Sequence, residues 1–167
     1  QNSSEGKIIT LHKSKLSDVS SYEVVGDFSS AAFIIVAALI SKKSKVLIKN
    51  VGLNETRIGL LEVLLKMNAD IKIENRRKTS NEICGDLIVK SSDLEGIEVP
   101  DYIIPNIIDE IPILSVAASF AKGETIIKNA SELKVKETDR LKATSDGLEA
   151  INIKHDTLED GLIIYGH

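Results

Sequence analysis

Lys134-Val135-Lys136-Glu137-Thr138-Asp139-Arg140-Leu141 gathers three cations and two carboxylates into one short stretch. Leu141, Ala143 and Leu148 supply the apolar contacts of a helix, and Thr138 or Asp139 has the side chain to cap it. Lys136 and Arg140 then fall one turn apart, beside the positive end of the macrodipole. Two cations there repel each other and oppose the dipole, each effect costing roughly a few tenths of a kcal/mol. A polyanion reverses that sign, because the free N–H groups of a helix N-terminus already favour phosphate. The stretch therefore reads in one of two ways. It is a solvated charged turn in which Glu137 and Asp139 neutralise their neighbours, or it is a site for a polyanionic ligand.

The elements that hold these residues follow from the apolar pattern. Gln1 to Gly6 reads as frayed or linker-like, Lys7 to Leu11 and Tyr22 to Val25 as strands, and the Ser/Lys-rich His12 to Ser21 as turn. Asp27 or Ser29 caps a helix from about Ser30 to Ile40, apolar or small on every face, which must run through a core. Ser44 to Lys49 is a strand. Asn54 caps a helix carrying Ile58, Leu61, Leu64 and Leu65 at the helical period, with Asn68 as its stop. Ile71 to Glu74 and Leu87 to Lys90 are strands on either side of the charged stretch Asn75 to Asn81.

After the polar connection Ser91 to Pro100 the order recurs. Tyr102-Ile103-Ile104 leads to Asp109 and the apolar run Ile111 to Phe120, then a strand at Thr125 to Lys128. A helix from Thr138 to about Glu149 and strands at Ile151 to Lys154 and Leu162 to Tyr165 complete it. Val36-Ala37-Ala38 aligns with Val116-Ala117-Ala118, and Ile48-Lys49-Asn50 with Ile127-Lys128-Asn129. Glu55-Thr56-Arg57 falls opposite Glu137-Thr138-Asp139-Arg140, with one residue of difference. The predicted class is α+β, a duplicated βαβαββ unit with buried apolar helices. Residues 1–20 form a tail or linker, 21–95 the first unit and 96–167 the second. In this frame Asp109, like Asp27, reads as the cap of a buried helix.

Composition removes several classes of function. With 167 residues, 43% hydrophobic and 28% charged, the chain can bury a good core. A net charge of −4 argues against nucleic acid as partner. Cys84 stands alone, which excludes an internal disulfide and suits a reducing cytoplasm. One Cys with the scattered His12, His155 and His167 offers no zinc spacing, and no glycine-rich nucleotide loop occurs, so neither metal nor cofactor is expected. The longest apolar run, Ala31 to Ile40, is too short to span a membrane, and the N-terminus lacks a signal pattern.

KVKETDRL at Lys134 to Leu141 is similar to the KxKExDRL signature of the 5-enolpyruvylshikimate-3-phosphate synthase family, an enzyme of the shikimate pathway. Gly26 to Ala32 resembles that family's GDxSSA segment and Ile108 to Leu114 its IDEIPIL segment, in the family's order. The resemblance implies a two-domain, inside-out α/β architecture, in which each domain has three repeat units with helices inside and sheets outside. This chain then corresponds mainly to two units of the C-terminal domain. The implied reaction transfers the enolpyruvyl group of phosphoenolpyruvate to the 5-hydroxyl of shikimate 3-phosphate and releases phosphate. The implied enzyme is a cytoplasmic monomer, the target of glyphosate, that works without a cofactor.

The same resemblance assigns roles. Asp109 matches the aspartate that contacts the shikimate ring hydroxyls and accepts a proton, and Glu137 the glutamate that exchanges protons near the phosphoenolpyruvate methylene. Lys136 matches a lysine that touches both substrates, and Arg140 an arginine that clamps phosphoenolpyruvate. Glu110 and Asp139 lie in the motifs without an assigned role. Val25 stands where many relatives have Pro, and Glu132 where some carry a substrate-binding Asn. The family's Lys-Ser-Arg cluster, its Ser-x-Gln contacts and its C-terminal His-Arg and Lys segments have no match here. The chain is thus expected to hold half the site, to need the N-terminal domain of the same enzyme as partner, and to be inactive alone. Two other readings remain: a relative of UDP-N-acetylglucosamine enolpyruvyltransferase, which shares unit and chemistry, and a noncatalytic anion-binding domain.

Overall fold

Apolar composition decides where the central helices sit. α1 (Phe28–Ile40) and α3 (Ile111–Ser119) are apolar or small nearly all round, so neither can lie on a surface by one stripe alone. They pack on each other, with Ala32, Ile35, Leu114, Ala117 and Ala118 fully buried. The computed structural model describes residues 9–15, 18 and 21–167, plus the backbone of a two-strand ladder, β1 (Asn2–Ser3) and β2 (Gly6–Lys7).

Around the helices stand two three-stranded antiparallel sheets. The first contains β3 (Lys45–Gly52), β4 (Asp70–Thr79) and β5 (Glu82–Lys90), in the order β3-β5-β4. The second contains β6 (Gly123–Ile127), β7 (His155–Thr157) and β8 (Leu162–Gly166), in the order β6-β8-β7. Each thus places its last strand in the middle. The connecting helices are α2 (Gly59–Lys66) and α4 (Arg140–Ala150). A short backbone segment runs parallel to the first strand of each sheet, through the bridge Gly26 to Val51 in one and Glu95 to Lys122 and Glu98 to Ile126 in the other.

Left-handed asparagines mark the duplication at equal places. Asn50, at the register shift within β3, and Asn129, just past β6, have φ of 57° and 58°. Each donates its backbone N–H to an aspartate across the sheet, Asp86 at 2.9 Å and Asp160 at 3.0 Å. Asn68 and Asn152 stop α2 and α4 with φ of 70° and 59°. After each, the next amide returns to the last turn, from Ala69 to Leu64 O and from Ile153 to Leu148 O. Asparagine tolerates this conformation better than other residues with a β-carbon.

Several elements differ from the sequence reading. Tyr22 to Val25 forms no strand, and Ile9 to Leu11 is irregular; Gly26 alone bonds to β3, through Asn50 O at 2.7 Å and Gly52 N at 2.8 Å. Ile8 and residues 16–17 and 19–20 lie outside the described residues, as do Gln1, Ser4 and Glu5 of the supposed frayed tail, while Asn2–Ser3 and Gly6 belong to the ladder. Asn54 does not cap α2; its side chain accepts from Thr56 N at 3.0 Å and makes a turn instead. Helix α2 starts later, at Gly59, where a β-carbon would stand 2.7 Å from Ile107 Cγ2. The charged stretch Asn75 to Asn81 is not a loop but the outer part of a long β4–β5 hairpin. Tyr102-Ile103-Ile104 belongs to a 3-10 turn, Asp101–Asn106, bracketed by Pro100 and containing Pro105. Ile151 to Lys154 ends α4 and leads to β7 rather than forming the strand.

Candidate active site

The charged stretch folds as two pieces. A 3-10 turn, Ser131–Val135, delivers Lys136 at its end, and α4 starts at Arg140 with Asp139 as its N-cap, accepting from Lys142 N at 2.9 Å. Lys136 therefore precedes the helix instead of lying on its first turn, and Thr138 does not cap it. Both cations nevertheless converge on one atom. Asp109 Oδ1 accepts from Arg140 Nη1 at 2.8 Å and lies 3.6 Å from Lys136 Nζ. Arg140 Nη2 donates to Glu137 Oε2 at 2.7 Å, and Lys136 Nζ lies 2.9 Å from Glu132 Oε1. Asp109, Lys136, Glu137 and Arg140, separated in sequence, thus form one cluster.

Asp109 is free to do this because it does not cap α3, as the sequence suggested. The N-cap position belongs to Glu110, which makes no side-chain capping bond. In the first unit the corresponding Asp27 does cap α1, accepting from both Ser30 N and Ser30 Oγ at 2.8 Å. Those bonds, first the Ser30 hydroxyl and then the amide, lower the Asp27 pKa below its ordinary value. Arg57 repeats the place of Arg140, at 3.3 Å from Asp27. One aspartate–arginine pair is engaged in capping; in the other the carboxylate makes no capping bond and pairs instead with Arg140 and Lys136.

The cations are half-sheltered and the acids open. Side-chain exposure is 23% at Lys136 and 29% at Arg140, against 55% at Asp109 and 78% at Glu137, so an anion reaches the cations by displacing their more exposed acidic partners. Glu132 chiefly, then Asp109, raises the Lys136 pKa, and Glu137 chiefly raises that of Arg140; both stay charged across the working range. Glu137 is held below the ordinary glutamate value, first by its own backbone amide and then by Arg140. Two cations and two carboxylates gathered at one partly exposed place have the charges to hold phosphorylated or carboxylated groups. In the sequence Glu132 reads only as a departure from the family; its spacing of four from Lys136 is the signal for the ion pair.

The family model for EPSP synthase (3-phosphoshikimate 1-carboxyvinyltransferase) matches residues 1–167. The chain belongs to the EPSP synthase family. The 3-phosphoshikimate 1-carboxyvinyltransferase of Petrotoga mobilis is 56% identical over 144 residues, 86% of this chain and 33% of that protein. The protein of the same name in Bacillus cytotoxicus is 48% identical over 145 residues, covering 87% of this chain and 34% of its own. A solved EPSP synthase structure from Acinetobacter baumannii superposes with a TM-score of 0.82 at 43% identity, over 84% of this chain and 32% of that one. The α+β architecture is therefore that of EPSP synthase, and the chain spans about a third of the length of the relatives it matches. Among the described residues no helix is long and apolar enough to cross a membrane.

Proposed function

We propose that this chain is part of a 3-phosphoshikimate 1-carboxyvinyltransferase, in which its two repeat units belong to the C-terminal domain and contribute half of a site completed by the N-terminal domain. The observation that carries this reading is the convergence of Lys136 and Arg140 on Asp109 Oδ1, inside a chain of this family. Asp109 takes the proton from the 5-hydroxyl of shikimate 3-phosphate as that oxygen adds to C2 of phosphoenolpyruvate. The methylene carbon gains a proton, giving a tetrahedral intermediate. Loss of a methyl proton then expels phosphate and restores the double bond, with Glu137 exchanging the proton at that carbon. Arg140 holds the phosphoenolpyruvate anion through its forked donors, and Lys136, a point charge, reaches both substrates.

Charge balance supports a site shared with a second domain. Three carboxylates, Asp109, Glu132 and Glu137, face two cations here, so a polyanion gains little from this half alone. Further cations must come from the other side of the cleft. The full-length enzyme turns over phosphoenolpyruvate with shikimate 3-phosphate and releases inorganic phosphate, whereas the isolated chain does not. Turnover with UDP-N-acetylglucosamine in place of shikimate 3-phosphate, or none with either acceptor, overturns the proposal.

Glu137 gives the pH dependence. Its depressed pKa makes the Arg140 pairing a contribution that is present above the unfolded value, about 4.3, and lost as pH falls through the lower folded value. Phosphoenolpyruvate draws Arg140 away, and the carboxyl pKa then rises part of the way to its ordinary value, its own backbone amide still holding it down. Glu137 therefore takes up a fraction of a proton, roughly, on binding near pH 4 to 5 and none near pH 7, where the phosphate of the ligand titrates instead. Calorimetry of the full-length enzyme in buffers of different ionisation enthalpy reads this uptake, and Glu137→Gln abolishes it.

A further inference from the structure

The GDFSSAA segment supplies a residue that the proposed reaction leaves unexplained. Ser29, in the first turn of α1, donates its hydroxyl to Glu110 Oε1, across from one repeat unit to the other. The same oxygen accepts from Arg57 Nη2 at 3.0 Å. The hydroxyl thus has one direction: it accepts from a guanidinium and donates to a carboxylate. A cation on the acceptor side polarises the hydroxyl and strengthens its donation.

The receiving group is unusual in its setting. Glu110 is only 6% exposed, and among the described residues it forms no ion pair. A buried carboxylate needs its hydrogen bonds, and Ser29 is the side chain that gives one. Glu110 is also the next residue after Asp109, in the turn that opens α3, and its backbone carbonyl accepts the first helical bond from Leu114 N at 2.9 Å. The turn is therefore held from two sides. Arg140 and Lys136 hold it through Asp109, while Arg57 and Ser29 hold it through Glu110.

We infer that Ser29, oriented by Arg57, is a positioning residue that fixes the Asp109 carboxylate through Glu110. This rests on the proposed role of Asp109 as proton acceptor. Sequence position alone hides it, since Ser29 and Glu110 are 81 residues apart. The arrangement makes the first repeat unit, whose own aspartate is engaged in capping, a support for the working aspartate of the second.

The test compares Ser29→Ala and Ser29→Thr in the full-length enzyme. Misplacing a reacting group by about an ångström costs on the order of a hundredfold, so Ser29→Ala lowers kcat by about ten- to a hundredfold with KM held. Ser29→Thr, which keeps the hydroxyl, restores most of the rate. The carboxyl carbon-13 signal of Asp109 moves in Ser29→Ala before any substrate is added and returns in Ser29→Thr. An unchanged kcat with an unmoved Asp109 signal overturns the inference, as does a lost rate with an unmoved signal, which would mean general destabilisation. Should Ser29→Ala fail to fold, Glu110→Gln, which keeps an acceptor oxygen, retains the rate and Glu110→Met loses it; equal rates overturn the inference. The carbon-13 signal needs no turnover. An Asp109→Asn enzyme with full kcat would refute the acceptor role while the signal still decides whether Ser29 governs the Asp109 surroundings.

Discussion

Asp109→Asn in the full-length enzyme lowers kcat by about 10²–10⁴-fold, the range that one positioned acid–base group supplies. The substitution keeps the volume and an oxygen that can accept from Arg140 Nη1, now 2.8 Å from Asp109 Oδ1. It removes the charge and the basicity. Binding moves the other way. Lys136 and Arg140 lose one of the carboxylates that compete with an incoming anion, so affinity for phosphoenolpyruvate holds or improves while turnover collapses. That opposition separates a proton acceptor from a mere tether. Steady-state rates and equilibrium titration on the same preparation check both halves. A parallel fall in affinity and rate points to a disordered turn, and a rate within a few-fold of the parent, roughly, removes Asp109 from the chemistry.

The cluster could be read in the sequence to different depths. Lys136, Glu137 and Arg140 lie in one local motif, so their types and spacing were visible at once. Asp109 carried a second meaning, as a helix cap, that only structure resolves: Glu110 takes the N-cap place and leaves Asp109 to the cations. The part played by Ser29 and Arg57 was out of reach, because it depends on how α1 of one unit meets the start of α3 in the other. No spacing rule spans that distance.

The fold shows the same division. Helix α1 was legible because its apolar run calls for a place in the core, although Phe33 and Ile34 leave one side of it exposed, and β5 because its inner part is apolar. Strand β4 is legible only in its first part, since its outer residues are exposed on both faces and carry no alternating pattern. Its hairpin partner is held by backbone bonds, which are blind to residue type. Ser80 and Asn81, with φ of 45° and 71°, turn the chain between them. Tyr102-Ile103-Ile104 looks like a strand by composition, yet Pro100 and Pro105 favour a tight turn over a ladder. Its two buried isoleucines, Ile103 and Ile104, serve the core from that turn, and it packs on α2.

Leu114→Ala lowers the stability of the 167-residue chain by about 2–5 kcal/mol, the cost of removing a fully buried leucine and leaving a cavity. Leu114 is 0% exposed on the helix that packs on α1, and Ile35, Ile111 and Ala118 of the same core are likewise buried. Two backbones this close leave little freedom for collapse, which argues for the upper part of the range. Ile34, on the outer side of α1 and 51% exposed, is the control: Ile34→Ala changes stability by about 0.5 kcal/mol or less. Urea denaturation with the m-value held between variants reads both. The cavity also lies one helical turn from Glu110, whose carbonyl receives the Leu114 amide at 2.9 Å. Leu114→Ala therefore speeds hydrogen exchange at the Leu114 amide more than the global loss requires, since the turn that presents Asp109 loses its packing from behind. Exchange that rises only with global unfolding would show that the turn is held by its hydrogen bonds alone.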